Sequence, residues 1–512
     1  MAKRWWALAA IALGVALVIM DATIANVALP VVIRDLGLTS SDAQWVNAIY
    51  SLVFASLIIT AGRAGDVFGR RTMAAVGLAI FMAASLAAGS ANGPGFLIAA
   101  RTIQGIGAAC VLPATLSSIN AMFRGKDRSI AFAVYGSMIG GMAAVGPLVG
   151  GWLATEVTWR WAFWLNIPFG LLALAGLLAF APNTRDERSQ ASFDVLGVIL
   201  ASLAMGAIVF ALIEASSFGW WRGADGALSP ITPTLIAGLV LLAAFVVVEY
   251  RRDRAGKPVL VHLALFRVRT FSLGVSTAFL VSLGEFGLLF VLPLLLQGAL
   301  GYDALGTGWL MMALAAGTFV ASGLVPHLVK SWGKTAVIRV GLIIEAAAVG
   351  ALALATPASA LVMAIALFSY GVGVGLANAQ LTDTTMQDVP VEKSGMASGL
   401  QTTIRQLGSA MGIAVLGGLM IGQLTTHTEQ RLTDAGVPPA QVEQVSTAVH
   451  DSVGAAIPAI SQRSPEAGKA AADSLIDAAR LTVGIGAGIL LIGVAASFAL
   501  PASRREDEAA RT

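Results

Sequence analysis

The chain has 512 residues, 57% of them hydrophobic and only 12% charged, with a mean hydropathy of +0.80. Soluble domains carry about 25% charged residues, so the composition excludes a water-soluble globular protein and points to a polytopic membrane protein. The net charge of +3 gives no case for a nucleic-acid partner, because the basic residues cluster in short loops, and the single cysteine, Cys110, excludes an internal disulfide.

A membrane-crossing helix needs about 20 predominantly apolar residues. Segments of that kind fall at 5–30, 43–62, 72–91, 95–118, 128–152, 161–181, 194–215, 231–250, 270–297, 304–328, 334–356, 359–381, 395–424 and 477–501, fourteen in all. The opening MAKRWW runs into the first of them without an A-x-A-like cleavage site, so no cleavable leader is expected. An even count puts both termini on one side. Most of the basic residues, among them Lys3, Arg4, Arg63, Arg70, Arg71, Arg251, Arg252, Lys330 and Lys334, fall in alternate loops, whereas the short loops of the other set hold Arg34, Arg160 and Arg222. The positive-inside rule then places both termini in the cytoplasm. Residues 425–476 interrupt the pattern with a polar external insert containing Pro438, Pro439, Pro458 and Pro465. It reads either as a short amphipathic helical cap or as a solvated tether.

The segment GRAGDVFGRR (62–71) joins the second and third spans. Gly62, Gly65 and Gly69 permit a tight turn and close helix approach, and Asp66 with Arg70 and Arg71 forms a charge latch between helix ends. This segment resembles the cytoplasmic signature of the major facilitator superfamily, with Val67 where that family usually has a basic residue. AARTIQGIGAA (99–109), holding Arg101, Gln104 and Gly105, is similar to the fourth-helix motif of drug:proton antiporters. GPLVGGWL (146–153), with Gly146, Pro147, Gly150 and Gly151, resembles their fifth-helix motif, although Met142 replaces the upstream glycine. Asp21, Asn26 and Pro30 match the first-helix motif of the fourteen-span branch. WRWAFWLNIPFG (159–170) and SGMASGLQTTIRQLGSAMG (394–412), which contains Arg405, are similar to the same branch.

The resemblance implies an all-α polytopic membrane protein with a major facilitator fold of 14 transmembrane helices (6 + 2 + 6) and both termini cytoplasmic. Residues 1–190 would form one six-helix half, 191–255 two additional helices, and 256–512 the other half with the extracellular insert at about 425–476. It implies a monomeric proton-coupled antiporter of the cell membrane that exports amphipathic, cationic drugs or toxic compounds by alternating access. No cofactor is expected, the proton gradient being the energy source. A dedicated exporter of an endogenous metabolite or lipid, or a non-transporting membrane scaffold or sensor, are the alternatives. An enzyme is disfavoured, for want of a P-loop or a nucleophile constellation.

Asp21, in VIMDATIANVALP (18–30), lies deep within the first span. A charge there costs roughly 2.5–3.5 kcal/mol on insertion scales, so it is expected to face a water-filled cavity and to be functional. Asp21 and Arg101 fall about 13 Å and about 8 Å from the external ends of their spans at 1.5 Å per residue, and Gln104 shares the face of Arg101. A contact between them reads as a proton-coupling element or as a static buried pair. Glu285, in SLGEFGLLF of the ninth span, is pseudo-symmetric to Asp21 and reads as a second proton or cation site, or as a local hydrogen-bonding group. Asp21, Asn26, Gln104, Glu285, Phe286, Phe290, Gln297 and Asn378 are the candidate substrate-binding residues. For each aromatic, ordinary packing is the competing reading. Arg405 reads as a gate or a buried pair, Glu345 as a packing residue of a peripheral helix, and Asp383 and Glu249 as solvated. None of the four histidines reads as a metal ligand or proton shuttle.

Overall fold

The computed structural model describes residues 2–123, scattered positions from 127 to 142, and 145–184, 194–221, 228–390 and 394–501. Among these, thirteen helices are long and apolar enough to cross a membrane. Lipid offers the backbone no hydrogen bonds, so long apolar segments satisfy their own N–H and C=O groups as helices. In chain order these are α1 (Ala2–Leu36), α2 (Ser40–Phe68), α3 (Arg70–Gly89) and α4 (Pro94–Met122), then the short α5 (Trp161–Trp164) leading into α6 (Asn166–Phe180). There follow α7 (Val195–Phe218), α8 (Ile231–Arg254), α9 (Arg269–Gly298), α10 (Ala304–Trp332), α11 (Lys334–Ala355) and α12 (Ala360–Met386). The chain ends with α13 (Ser394–Asp434), two short helices α14 (Pro439–Asp451) and α15 (Ile457–Arg463), and α16 (Pro465–Phe498). The expected span at 128–152 lies largely outside the described residues; its last part, 145–152, is helical.

Glycine decides two of the turns. Gly69 (φ 104) ends α2 and starts α3, and Gly333 (φ 83) does the same between α10 and α11, both in a backbone region that side chains disfavour. Glycine also sets the closest helix crossings, as small residues do in membranes. A Cβ on Gly107 of α4 would lie 2.8 Å from the Phe81 nitrogen of α3, and one on Gly341 of α11 would lie 2.8 Å from the Ala377 nitrogen of α12.

The helices pack in two groups, one of α1–α4 with α6, the other of α9–α13 with α16; α7 and α8 pair with each other, and α7 also touches α2 and α13. Between the groups, α2 and α13 run side by side. Ser51 and Ser409 approach to 3.3 Å, and Thr403 Oγ1 donates to the Ala55 carbonyl at 3.1 Å. A second junction closes the end nearest Pro30. There Gln297 Nε2 donates to the Val27 carbonyl at 2.9 Å, and the Leu305 N–H donates to Thr155 Oγ1 at 3.1 Å. A Cβ on Gly308 would stand 2.5 Å from the Pro147 carbonyl oxygen.

The insert at 425–476 is a helical cap, so the tether reading falls. Helix α13 continues to Asp434 and α16 starts at Pro465, beyond the apolar stretches that mark their membrane-embedded parts. Arg431 pairs with Asp477 and, at 3.6 Å, with Asp473. His450 bonds Thr425 Oγ1 at 2.8 Å and Ser40 Oγ at 3.3 Å, which ties α14 to α13 and α2.

Glu249 is not solvated: it is fully buried at the foot of α8. Its position near a helix end implied water, but the segment 255–261 folds back over it. Glu249 Oε2 accepts the Val261 N–H at 2.8 Å. Asp194, the N-cap of α7, accepts the N–H groups of Gly197 at 2.9 Å and Leu260 at 3.2 Å. Arg63 of α2 donates to the Val259 carbonyl at 3.3 Å. Burial alone would raise the Asp194 carboxyl. The bond with Glu249, the Gly197 N–H, the Arg252 charge and the Leu260 N–H together hold it below the ordinary carboxylate range. Asp383, by contrast, is exposed and paired with Lys334 at 2.7 Å.

Two outcomes follow from this packing. Because its folded value is depressed, Asp194 stabilises the fold above the ordinary carboxylate range of about pH 4 and loses that effect as pH falls through the depressed value. Asp194→Ala should therefore cost about 1–2 kcal/mol at pH 7, read as a lower thermal midpoint in detergent, and the gap to wild type should close in acid. Gly308→Val should keep the two groups from closing at the Pro147 contact. Labelling of a cysteine placed at Thr155, in a Cys110→Ala background, by a polar maleimide should rise severalfold; unchanged labelling would show that the junction tolerates the side chain.

Candidate functional site

Asp21 and Arg101 form the centre of the first helix group. Arg101 Nη1 donates to Asp21 Oδ2 at 2.5 Å, and both side chains are almost fully buried, at 1% and 0% exposure. Oδ1 of Asp21 accepts from Gln104 Nε2 at 3.0 Å and from Asn166 Nδ2 at 2.7 Å. Ser85 of α3 supplies the hydroxyl to which Gln104 and Asn166 also donate, at 2.9 and 3.2 Å. Arg101 is further held by the Val46 carbonyl at 3.1 Å, by Gln104 Oε1 at 2.9 Å, and by the Tyr50 ring, 4.5 Å from its guanidinium carbon. An ionised carboxylate only accepts, and here three donors converge on it.

This geometry corrects one expectation. Asp21 does not face an open cavity: α1, α3, α4 and α6 enclose it. The buried charge is satisfied by protein donors instead of water, which is the other way to meet its desolvation cost. The pairing with Arg101 and the place of Gln104 are as expected. Asn166, Ser85 and Tyr50 were missed. Asn166 had a signal, being the polar residue in WLNIPFG; Ser85 had none, since a lone serine in an apolar helix usually bonds its own backbone, as it does here to Phe81 at 2.7 Å.

The seal lies within one helical turn of this network. Thr23 and Ile24 of α1 pack against Gly146 and Gly150, where a Cβ on Gly150 would lie 3.1 Å from the Ile24 Cα. On the other side of the same segment, Pro147 and Gly151 meet Gly308, Ala304 and Leu305 of α10. The motif 146–151 is therefore wedged between the two groups. Asn26 accepts from Asn47 at 2.9 Å and so joins α1 to α2. Gln297 is used in the seal itself, and Phe290 is buried against Gly417 of α13; neither is open to a ligand in this conformation.

The second group holds Glu285, half-buried, with Asn378 and Arg405 as its polar neighbours and one oxygen, Oε2, sealed without a partner. Phe286 beside it is also half-buried. Glu345 and Tyr370 are wholly buried within electrostatic reach of Glu285. The 62–71 motif lies apart from both carboxylate centres. Gly62 faces Pro113, the Arg70 N–H donates to the Thr184 carbonyl at 2.9 Å, and Arg71 donates to the Ala181 carbonyl at 3.3 Å. The Asp66 side chain lies outside the described residues. Among the described residues no group of three or more His, Cys, Asp or Glu is placed to hold a metal ion.

With the fold and these centres in view, comparison with known proteins is informative. The Major Facilitator Superfamily model matches residues 11–413. The puromycin resistance protein pur8 of Streptomyces alboniger is 35% identical over 448 residues, covering 86% of this chain and 85% of its own length. The tetracenomycin C resistance and export protein of Streptomyces glaucescens is 31% identical, over 89% and 84% of the two chains. The multidrug efflux pump LfrA of Mycolicibacterium smegmatis is 30% identical, over 93% and 91%. In three dimensions, a bacterial homologue of the human lysosomal transporter Spinster superposes with a TM-score of 0.65 at 17% identity over 97% of each chain. The chain belongs to the Major Facilitator Superfamily, as a multi-pass plasma-membrane transporter of small molecules and not an enzyme.

Proposed function

We propose that the protein is a proton-coupled antiporter that exports amphipathic, cationic drugs or toxic compounds by alternating access. The observation that carries this reading is Glu285: a half-buried carboxylate among Phe286, Asn378 and Arg405, midway along α9 in the second group. A lipophilic cation gains charge pairing from the carboxylate and cation–π attraction from an adjacent ring. The relatives named for antibiotic resistance and multidrug efflux support the export of drugs.

In this reading the chain crosses the membrane fourteen times, the fifth crossing falling within 128–152. Residues 1–190 and 256–512 act as the two halves, 191–255 as the added helix pair, and both termini are cytoplasmic. The Val27–Gln297 junction is then the closed extracellular gate, and the molecule faces inward as a monomer. No cofactor is needed, because the proton gradient supplies the energy.

The cycle follows from the two carboxylate centres. A cation entering from the inner side binds at Glu285. Outward opening requires α1 and the 146–151 segment to part from α9 and α10. Asp21 lies two and three residues from Thr23 and Ile24, which carry that contact, so its protonation acts on the gate. Neutral Asp21 would lose its charge pairing with Arg101 and keep only a weaker acceptor, loosening α1 against α4. A proton arriving from outside thus changes the seating of the gate helix.

A dedicated exporter of one metabolite is the second reading, favoured by relatives named for single compounds, tetracenomycin C and actinorhodin. The tests are made in proteoliposomes with an imposed pH gradient and a panel of cationic dyes. Wild type should accumulate several dyes; transport of none of them would remove the multidrug reading. Asp21→Asn should lower gradient-driven accumulation roughly tenfold, the effect of about 1.4 kcal/mol, while an unaltered rate would remove Asp21 from coupling. Glu285→Gln should weaken dye binding by a similar factor and make it independent of pH, as read by fluorescence titration.

A further inference from the structure

Glu345 is a buried acid of the second helix group that this cycle does not use. It is 0% exposed, and neither of its carboxyl oxygens has a hydrogen-bond partner. The burial is enforced by a close crossing: a Cβ on Gly373 of α12 would lie 2.6 Å from the Glu345 nitrogen and 2.7 Å from the Gly341 carbonyl. Water is thereby kept out of the α11–α12 contact. The titratable and charged groups that face Glu345 are Glu285 from α9, Arg405 from α13 and Tyr370 from α12, the last with its own hydroxyl buried and unpartnered. Helices α10 and α16 carry their charges towards the ends of α11; Arg480, for example, bonds the Ala353 and Leu354 carbonyls. An ionised carboxylate with no donor on either oxygen is an expensive group in such a place. A packing role needs no acid at all, since leucine would fill the same space.

We infer that Glu345 is a proton-carrying residue of the transport cycle, holding its proton beside Glu285 while the Val27–Gln297 end is closed. This rests on the proposed antiport. The neutral acid is the form that the donor-free site accommodates. A cation arriving at Glu285 brings positive charge within reach of Glu345 and favours its carboxylate. The Glu345 O–H bond then breaks, its electron pair staying on the carboxylate, and the proton passes to water by way of the half-buried Glu285. When the cation departs, the carboxylate again stands without donors and takes up a proton. One positive charge is exchanged for another, and the second helix group stays close to neutral throughout.

Glu345→Gln and Glu345→Leu test this in proteoliposomes, with ethidium as the probe. Three quantities are read: proton release per dye taken up, downhill dye flux without a pH gradient, and the thermal midpoint in detergent. Both variants should melt close to wild type and keep downhill flux, while proton release per dye falls roughly tenfold. Wild-type proton release in either variant would overturn the assignment and leave the antiport reading standing. Loss of downhill flux together with coupling, or a much lower midpoint in both variants, would make Glu345 a structural residue and equally overturn it. A wild-type protein that moves dye without protons would instead defeat the antiport reading itself.

Discussion

The contact between Asp21 and Arg101 governs how the first helix group is built. Each is a charge with almost no exposed surface, and either one alone would be stranded in a medium of low dielectric. Together they draw polar atoms from five helices. Asp21 comes from α1, Tyr50 and the Val46 carbonyl from α2, Ser85 from α3, Gln104 from α4 and Asn166 from α6. Between helices in lipid there is little hydrophobic driving force, so interhelical polar contacts and close packing carry more of the specificity. A network with every helix of the group as a member fixes their mutual rotation. That is a structural function.

Glycine contacts join some helices closely and leave others loosely held. The α3–α4 and α11–α12 crossings are held by glycines whose missing side chains let the backbones approach closely. The junction between the groups is also glycine-lined, at Gly150, Gly151 and Gly308, but it is held by few hydrogen bonds, Gln297 to Val27 and Leu305 to Thr155 among them. A smooth interface with little polar glue can close tightly and still part at modest cost. The wedge 146–151 touches α1 just beyond Asp21 on one side and α10 on the other, so a short stretch of packed chain lies between the carboxylate and the junction.

Much of this was legible in the sequence, for reasons that particular residues make plain. Length and hydropathy located the membrane segments because lipid imposes one length on every crossing. The same rule misjudged α13 and α16, whose outer turns run through Arg431 and Asp477 in water, where hydropathy no longer reports helix. Asp21 and Arg101 announced themselves as charges in apolar runs, and their depths matched. What they faced could not be read from spacing along one helix, because the rotation of α1 is set by Asn166 and Ser85 on other helices. Glu249 shows the same limit from the other direction. Its place near a helix end implied solvent, and only the return of residues 255–261 over α8 buries it. Glu345 was legible as a buried acid, but the absence of any donor around it is a property of its neighbours.

The two groups treat a buried acid in opposite ways. Around Asp21 the protein supplies three donors, one of them a guanidinium, an environment built for the carboxylate. Around Glu345 it supplies no donor, an environment built for the neutral acid, with the half-buried Glu285 within electrostatic reach. A symmetric pair of sites would gain and lose protons together and give the cycle no order. Unequal sites titrate in sequence. In the proposed exchange, the inward-facing form keeps its proton in the second group, where the cation arrives, and keeps Asp21 charged so that the gate helix stays seated. Outward opening reverses which group needs the proton. Coupling then depends less on the strength of either site than on the difference between them, and that difference is set by Gln104, Asn166 and Ser85 on one side and by the glycine-tight α11–α12 crossing on the other.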